Sequence, residues 1–436
     1  MIYNLVSLSG IFILLFLAWI FSENRKKINY RTVVGGLSLQ LLFAAFIFLF
    51  PVGTKIFYAL NNIFLGILNS STAGAEFLFG PLALSPGNMG DKGELSIGFI
   101  LAFQVFPTII FFSALTSILY YFNIFPRLIN FLSRVFSKFL YISGAEALCV
   151  SSNIFVGIES VFTIKPYLEK MSRSEFLMVL TAGMATVSSS VLGLYVFTLN
   201  DLFPNIAAHL ISASILSAPA AIVISKILIP EVKTPISGSA TTKMHYVKES
   251  NLVESIINGA TNGAKMVVGI ATLLIAFLGL VELVNLILGF VGTNINGLLD
   301  INFDWTLKSL LGYIFFPITF ILGIPLNDTL EISKIIGERI VLTEVVSYQD
   351  LADLLKDGTI QNQRSVVIAV YALCGFAHVA SMAIFVGGTI ALVPNRKSDI
   401  ANLGIKALFT STLACLITSC IAGLFYNENY LNILNF

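Results

Sequence analysis

Long apolar runs with almost no charged residues recur from one end of the chain to the other. Residues 2–21 form the first run, and others lie at 31–50, 176–199 and 402–425. A run of about 20 apolar residues can cross the hydrocarbon core of a bilayer as a helix. Charged residues make up only 11% of the 436 positions, against about a quarter in a soluble domain, too few to cover a water-exposed surface. The sequence therefore predicts an all-α polytopic membrane protein with about eight transmembrane helices.

The few charged residues exclude several function classes and predict an orientation. The formal net charge is +1, so the composition indicates neither nucleic acid nor an acidic partner. The four cysteines have no metal-binding or redox spacing. The first run has no basic residue before it and no cleavage site, so we interpret it as a span rather than a signal peptide. The basic stretch at 22–31 predicts a cytoplasmic loop and an N-terminus outside the cell.

Residues 144–169 are an exception to the pattern of single crossings. Basic residues at 127–138 precede this segment and basic residues at 170–173 follow it, so both flanks are predicted to be cytoplasmic. The segment must then enter and leave the membrane from one side, as a re-entrant hairpin. Non-helical backbone at membrane depth is tolerated only where protein or water surrounds it, so the polar residues of this segment mark the hairpin tip.

A second interrupted pair of apolar segments follows at 304–325 and 336–358, and it starts from the outer side. Each pair is followed by a span. Inverted repeats with broken helices that meet near the membrane midplane are typical of secondary transporters. Polar side chains interrupt residues 54–70 too often for a span, and we expect an amphipathic interfacial helix along the outer surface there.

Each repeat places one carboxylate in an apolar setting, Glu159 in the first and Glu344 in the second. An acidic residue at the centre of a membrane helix costs about 2.5–3.5 kcal/mol, so two matched examples favour a functional site. The alternative is that each is a buried hydrogen-bonding strut. The spans that follow the hairpins also contain small residues, hydroxyls and a histidine, which equally serve helix packing. These residues are Gly183, Thr186, Ser188, Ser189, Ser190, Gly375, His378 and Ser381.

The first hairpin has suitable chemistry for a hard cation. Sodium prefers oxygen ligands, and the Asn153 amide, the Thr186 hydroxyl and carbonyls freed from helical pairing could supply them. A proton is the alternative coupling ion. It would be carried by Glu159, Glu344 or His378, because a neutral histidine titrates near physiological pH.

Several phrases of the sequence, in order, are similar to those of one known family. They are GAEFLFG (74–80), FPTIIFFSALTSILYYF (106–122), SGAEALCVSSNIFVG (143–157), KPYLEKMSRSEFLMVLTAGMATVSSSVLGLY (165–195), YALCGFA (371–377) and VPNRKSDIANLGIKAL (393–408). Over roughly residues 70–425 the chain resembles the concentrative nucleoside transporter family. The resemblance implies a homotrimer and an elevator-type movement of a transport domain that holds both hairpins. It also implies sodium- or proton-driven uptake of nucleosides.

The resemblance also implies a cation site between the first hairpin tip and the following span. The implied sodium ligands are the side chains of Asn153 and Thr186 and the carbonyls of Val156, Thr186 and Val187. Sodium is therefore the first expectation for the coupling ion, and no other cofactor is implied. The compact layout suggests a bacterial inner membrane.

The implied base end of the substrate site departs from the family pattern. The family's first tip usually reads Gly-Gln-Thr-Glu or Gly-Gln-Ser-Glu, whereas this chain has Gly157-Ile158-Glu159, which is one residue shorter and has no Gln. Val191 is the remaining residue that the resemblance implies for binding substrate at this end. A polar edge left unpaired in a dry site costs about 1–3 kcal/mol. We therefore expect a nucleoside or a close relative, with an altered base preference.

The implied sugar end is retained more fully. Glu344 stands where the family has the glutamate that holds the sugar hydroxyls, and Phe376 and Ser381 also match. His378 replaces the sugar-binding asparagine. The sugar end thus keeps a carboxylate acceptor and a hydroxyl.

We divide the chain into six parts of one transport unit. They are N-terminal helices (1–50), an interfacial helix and scaffold span (51–122), the first hairpin and broken span (123–200), scaffold spans (201–300), the second hairpin and broken span (301–393) and a C-terminal span (394–436). The predicted function is cation-coupled nucleoside uptake, with proton-coupled symport of a modified nucleoside or base-like solute as the alternative. We expect no enzyme, because the HExxH, GxSxG and phosphate-loop motifs do not occur.

Overall fold

Helices make up nearly all the regular structure of the protein. The computed structural model describes residues 2–85, 87–90, 93–232, 242–246 and 248–427. Within those ranges the only β-type pairing is an isolated antiparallel bridge between Met89 and Leu95. The all-α fold predicted from the sequence is confirmed.

The first half of the chain holds long helices, a surface helix and a hairpin. In chain order the helices are α1 (Ile2–Ile20), α2 (Tyr30–Phe48), α3 (Pro51–Phe79), α4 (Leu101–Gln104), α5 (Phe106–Tyr121), α6 (Ile124–Leu140), α7 (Gly144–Val156), α8 (Arg173–Ala185), α9 (Ser189–Leu199) and α10 (Ile206–Leu228). Between α7 and α8 lies a 3-10 segment, Gly157–Lys170, which we call the 3-10 arm. Together, α7 and the 3-10 arm form the first hairpin.

The second half begins with the longest helix of the protein. Its helices are α11 (Leu252–Leu299), α12 (Leu307–Ile321), α13 (Leu326–Val341), α14 (Glu344–Lys356), α15 (Gln363–Leu373), α16 (Val379–Leu392), α17 (Lys397–Ala401) and α18 (Gly404–Phe425). The order of elements after α5 recurs after α11. In each half a helix packs along the first arm of a hairpin, the hairpin is followed by a broken helix, and a continuous helix comes last.

The second hairpin differs in its bounds from the sequence prediction. Residues 304–325 were expected to form its first arm, but they contain α12, which corresponds to the surface helix α6 of the first half. The arms are instead α13 and α14, and they meet at Leu342 and Thr343. The turn at Gly323, with φ +92°, has the glycine expected of a tip, whereas the actual tip contains neither glycine nor proline.

The base of the first hairpin is held by capping boxes and a buried ion pair. Ser143 and Glu146 cap α7 reciprocally, and Ser172 and Glu175 do the same for α8. Lys226 of α10 reaches Glu146 Oε1 with its Nζ at 2.5 Å, and both side chains are buried. The ion pair joins the first arm of the hairpin to the end of α10.

Both broken helices are interrupted by extended backbone. In the first, α8 ends at Ala185 and Thr186 is extended (φ −124°, ψ 164°) before α9 begins at Ser189. In the second, α15 ends at Leu373, and His378 is the extended N-cap of α16. The ends of four half-helices, with their unsatisfied backbone groups, therefore lie inside the protein.

One predicted interfacial segment is a long continuous helix. Residues 54–70 belong to α3, whose 29 residues extend about 44 Å. Asn61, one of the polar residues that seemed to interrupt it, is buried against the start of α10. Its Nδ2 donates to the Pro204 carbonyl and its Oδ1 accepts from the Ala208 amide, each at 3.2 Å. By length and composition the segment 51–83 could cross a membrane, and a tertiary contact satisfies its buried amide, whereas the place of residues 54–70 along the outer surface stays a prediction.

Several helices are long and apolar enough to cross a membrane. By length and composition, the described residues contain eight such segments: 2–20, 30–48, 51–83, 101–121, 173–199, 206–228, 252–299 and 404–425. The number agrees with the prediction, but the set differs. The predicted broken span at 364–393 consists of α15 and α16, as the segment 173–199 consists of α8 and α9, but each of its halves is too short to be counted alone. The segment that contains α3 is counted among the eight instead.

The longest helix, α11, packs closely on α5 through small residues. Its 48 residues extend about 72 Å. A Cβ added at Gly259 would lie 2.8 Å from the Ala114 Cα, and one added at Gly263 would lie 2.7 Å from the Ile110 Cα. Close backbone approach through glycine is a common way for membrane helices to pack. The opposite side of α11 exposes apolar side chains such as Leu286, Ile287 and Phe290.

Candidate functional site

A cavity of about 750 Å³ lies between the first hairpin and the helices α5 and α11. The tip contributes Gly157 and Glu159, and α9 contributes Val191. Asn262 and Lys265 of α11 form part of the facing wall. The volume is in the range of about 300–1,000 Å³ typical of small-molecule sites. The cavity is therefore large enough for a small polar solute.

The first hairpin tip rests on the break of the following helix. Gly157 has φ +62°, a backbone conformation that other residues rarely adopt. A Cβ at this position would lie 2.8 Å from the Cβ of Ser188, the N-cap of α9. A glycine is therefore required on two grounds, its backbone conformation and the closeness of Ser188.

Behind the tip, Asn153 and Thr186 join the hairpin to the end of α8. Asn153 is fully buried, and its Nδ2 donates to the Ala182 carbonyl at 2.5 Å and to the Thr186 hydroxyl. Its Oδ1 accepts from the Ser160 hydroxyl at 3.1 Å. The Thr186 hydroxyl in turn lies 3.2 Å from the Ala182 carbonyl. The two side chains predicted as cation ligands are thus in direct contact.

The chemistry of these groups fits a small hard cation. A half-turn of the Asn153 amide would bring Oδ1 beside the Thr186 hydroxyl and the Ala182 carbonyl, so that three neutral oxygens converge. Thr186 and Val187 lie between α8 and α9, outside both helices, so their carbonyls are available as well. Val156 ends α7 and lines the same cavity. Oxygen donors of this kind suit sodium.

The second carboxylate lies in a buried network outside the cavity wall. Glu344 starts α14 and is 1% exposed. The Tyr195 hydroxyl of α9 donates to its Oε1 at 2.5 Å, and His378 Nε2 lies 3.0 Å from its Oε2. Among the described residues, neither of these last two atoms makes a well-aligned hydrogen bond, with each other or with any other group. Sequence reasoning missed Tyr195, although it follows Val191 by one helical turn.

The backbone of α16 selects the protonation form of His378. Its Nδ1 accepts from the Ser381 amide at 3.3 Å, as an N-cap does, and the Ser381 hydroxyl accepts from the His378 amide at 3.1 Å. An accepting Nδ1 carries no proton, so a neutral His378 must carry its proton on Nε2. Nε2 lies 3.0 Å from Glu344 Oε2, although its N–H is not aligned with that oxygen. His378 therefore places a donor group beside Glu344, as the amide of an asparagine would.

The structure divides the predicted substrate residues into two groups. Gly157, Glu159, Val191 and Phe376 line the cavity, whereas Glu344, His378 and Ser381 lie buried behind it. The Phe376 ring lines the cavity and also packs on His378, with ring centroids 4.6 Å apart. The side chain of Ile158 lies outside the described part of the structure.

The connection between α10 and α11 covers part of the cavity. The His245 amide donates to the Thr163 carbonyl of the 3-10 arm at 2.8 Å. The Tyr246 ring packs on Tyr120 of α5, with centroids 5.4 Å apart. Burial and the neighbouring Glu249 carboxylate raise the pKa of Tyr246 to about 12, so its hydroxyl remains neutral and donates to Glu249 at 3.3 Å.

Two inverted repeats, each with a hairpin followed by a broken helix, and a cavity at the first hairpin tip define a secondary transporter. Three family models match the chain. They are the Na+ dependent nucleoside transporter N-terminus at residues 9–82, the nucleoside recognition domain at 102–202 and the Na+ dependent nucleoside transporter C-terminus at 209–423. Together they cover most of the chain.

Similar proteins agree with these matches. The chain is 37% identical to the nucleoside permease NupC of Helicobacter pylori, over 98% of this chain and 99% of that protein. It is 36% identical to solute carrier family 28 member 3 of Eptatretus stoutii, over 96% of this chain and 60% of that protein. The structure of CNTnw in an inward-facing substrate-bound state matches with a TM-score of 0.85 and 32% identity, covering 97% of this chain and 98% of that one.

The chain therefore belongs to the concentrative nucleoside transporter family. CNTnw has also been solved in outward-facing and intermediate states, and this chain has the same elevator-type transporter fold. The family consists of transporters rather than enzymes, as the sequence predicted.

Proposed function

We propose that the protein is a sodium-coupled symporter that takes up nucleosides across the cytoplasmic membrane. The observation that carries this proposal is the contact of Asn153 with Thr186, directly behind the tip that lines the cavity. A cation bound among their oxygens would hold the tip against the helix break. The cavity wall formed by Gly157 and Val191 would then be shaped only when the cation is present, so cation and substrate would bind together.

The proposal of a nucleoside substrate rests on the chemistry of two groups of residues, those that line the cavity and those buried behind it. On the hairpin side the cavity offers Glu159 but no amide for paired hydrogen bonds with a base, and Asn262 brings a side-chain amide from the facing wall of α11. The buried end offers a carboxylate, an imidazole donor and a hydroxyl, which suit the vicinal hydroxyls of a sugar. Because Glu344 is buried and the Phe376 ring lies between the cavity and His378 in this proposal, that ring would turn aside to let a ligand reach Glu344.

The moving part in this proposal comprises the hairpins and broken helices, residues 123–200 and 301–393. The wall formed by α5 and α11 would stay fixed while that part carries the loaded cavity across the membrane. The exposed apolar side of α11 would either contact lipid or join two further copies in a homotrimer. The proposed location is the inner membrane, with the N-terminus outside.

Uptake into proteoliposomes tests the proposal. Purified protein would be given labelled adenosine, guanosine, cytidine and uridine under an inward sodium gradient, with choline as the control cation. We expect sodium-dependent, saturable uptake of at least one of them. The Glu344→Gln variant should lose it, whereas Asp353→Asn, which changes an exposed carboxylate of the same helix, should retain it. Absence of uptake of every nucleoside under any gradient would contradict the proposal.

Proton coupling is the second candidate, and the buried contact of Glu344 with His378 favours it. A proton bound to this pair would neutralise the carboxylate before the crossing. The same vesicles separate the two ions. Uptake driven by an inward pH gradient without sodium, and unaffected by Thr186→Val, would select the proton.

A further inference from the structure

Arg339 is a buried cation close to the second hairpin tip. It lies in the last turn of α13 and is 0% exposed. Its Nη1 donates to the Ala372 carbonyl at 2.5 Å, and its Nε and Nη2 have no hydrogen-bond partner among the described residues. A charge buried in a membrane protein without a paired carboxylate is costly and commonly functional. The substrate site described above does not use it.

The contact of Arg339 corresponds to a contact in the first repeat. There, Asn153 in the last turn of α7 donates to the Ala182 carbonyl near the end of α8, also at 2.5 Å. In the second repeat, Arg339 in the last turn of α13 donates to the Ala372 carbonyl near the end of α15. Each contact joins the first arm of a hairpin to the first half of the broken helix that follows. One repeat uses a neutral amide and the other a guanidinium.

The carbonyl ends of α8 and α15 therefore differ in the charge of the side chains that donate to them. The carbonyl end of a helix carries a partial negative charge and attracts cations. At the end of α15 this charge faces the permanent charge of Arg339. At the end of α8, the donors that reach the last-turn carbonyls are neutral: the Asn153 amide, the Thr186 hydroxyl and the Cys415 thiol.

We propose that Arg339 is a built-in cation, which takes in the second repeat the place that the coupling cation takes in the first. The protein then needs one exchangeable cation per substrate rather than two. Arg339 is a positioning residue in this scheme, because it holds the second hairpin on α15 in every state. The inference rests on the proposed sodium coupling and adds its stoichiometry.

Replacement of Arg339 tests the assignment. Arg339→Gln removes the charge, Arg339→Lys keeps it, and Lys334→Gln removes a partly exposed cation of the same helix as a control. The assay is uptake of whichever of adenosine, guanosine, cytidine and uridine the wild type takes up fastest. In Arg339→Gln we expect about tenfold weaker uptake at low sodium. Its sodium dependence should steepen from a Hill coefficient of about 1 towards about 2, as a second ion occupies the vacated place.

Arg339→Lys and Lys334→Gln should keep the shape of the wild-type sodium curve. A wild-type curve in Arg339→Gln, or equal damage in Arg339→Lys and Arg339→Gln, would overturn the proposal. The wild-type protein provides a test that does not depend on whether a variant folds. The voltage that stops net uptake at fixed gradients gives the number of sodium ions per nucleoside, and we expect about one. A ratio near two would refute the built-in cation, whereas no sodium-driven uptake at all would instead refute the sodium coupling itself.

Discussion

His378 lies beside Glu344 with one ring nitrogen, while its other ring nitrogen is held by the backbone of its own helix. The Nε2–Oε2 distance is 3.0 Å, and Nδ1 caps α16 through the Ser381 amide at 3.3 Å. One residue thus ends a helix break and orients a buried carboxylate. A change at position 378 should affect both the local fold and the substrate site.

His378→Ala is expected to weaken nucleoside uptake strongly, because it removes the cap of α16 and the imidazole that lies 3.0 Å from Glu344 Oε2. An unsatisfied buried group costs about 1–3 kcal/mol, which corresponds to a loss of about fivefold to 150-fold in affinity. Binding would be measured by the nucleoside-induced rise in melting temperature. His378→Asn restores a capping side chain and an amide donor, and it should retain more binding than His378→Ala. Equal binding in the two variants would contradict the donor role.

Thr186→Val should raise the sodium concentration needed for half-maximal uptake, because it replaces a hydroxyl oxygen with a methyl group of similar size. Loss of one hydrogen-bonding oxygen at a buried site is worth about 1–3 kcal/mol. Thr198→Val is the matched control, since the Thr198 hydroxyl bonds only to the Leu194 carbonyl of its own helix. If both variants show the wild-type sodium curve, Thr186 is no ligand.

Gly157→Ala should abolish most uptake, whereas Gly358→Ala should not. Both glycines have positive φ, +62° and +67°, so each substitution carries a backbone strain of about 1–3 kcal/mol. Only at Gly157 would the added Cβ also meet Ser188, at 2.8 Å, and nothing lies within 4 Å of the Cβ position at Gly358. Uptake and melting temperature measured together would separate strain from loss of the tip contact. Equal effects in the two variants would show that the approach to Ser188 has no role.

Lys226→Met should lower the melting temperature by several degrees, because it leaves the Glu146 charge buried without its partner. Removal of one member of a buried pair costs about 3–5 kcal/mol. The double variant Glu146→Gln with Lys226→Met should recover part of this loss, since no charge is then left unpaired. A double-mutant cycle measures the coupling, and strict additivity would exclude a direct interaction.

The sequence predicted the fold best where the length of an apolar segment and the basic residues at its ends indicate the same path through the membrane. The first hairpin follows from basic flanks on both sides of an apolar segment, and its tip lies at Gly157 as expected. The second hairpin was harder, because its tip at Leu342 and Thr343 has no glycine or proline, whereas the turn at Gly323 does. The continuity of α3 depends on the contact of Asn61 with α10, which no local pattern contains.

For the candidate site, too, some residues were predictable from the sequence and others were not. Asn153 and Thr186 were predicted as ligands of one cation, and their side chains are in contact. Arg339 was missed because charges at 338, 339 and 344 look like an interface when read along the chain. A helix turns about 100° per residue, so Glu338 faces Lys308, with oxygen and nitrogen 3.0 Å apart, while Arg339 faces inward. Only the three-dimensional structure separates the outward charge from the inward one.

The length of α11 has a mechanical consequence. A rod of about 72 Å cannot stand upright within a hydrocarbon layer of about 30 Å, so it must lean steeply or project far beyond one surface. A tilted α11 offers an oblique surface to the hairpins and broken helices that would slide along it. A change in bilayer thickness would then alter the tilt of α11, and with it the distance along the membrane normal over which a bound solute is moved.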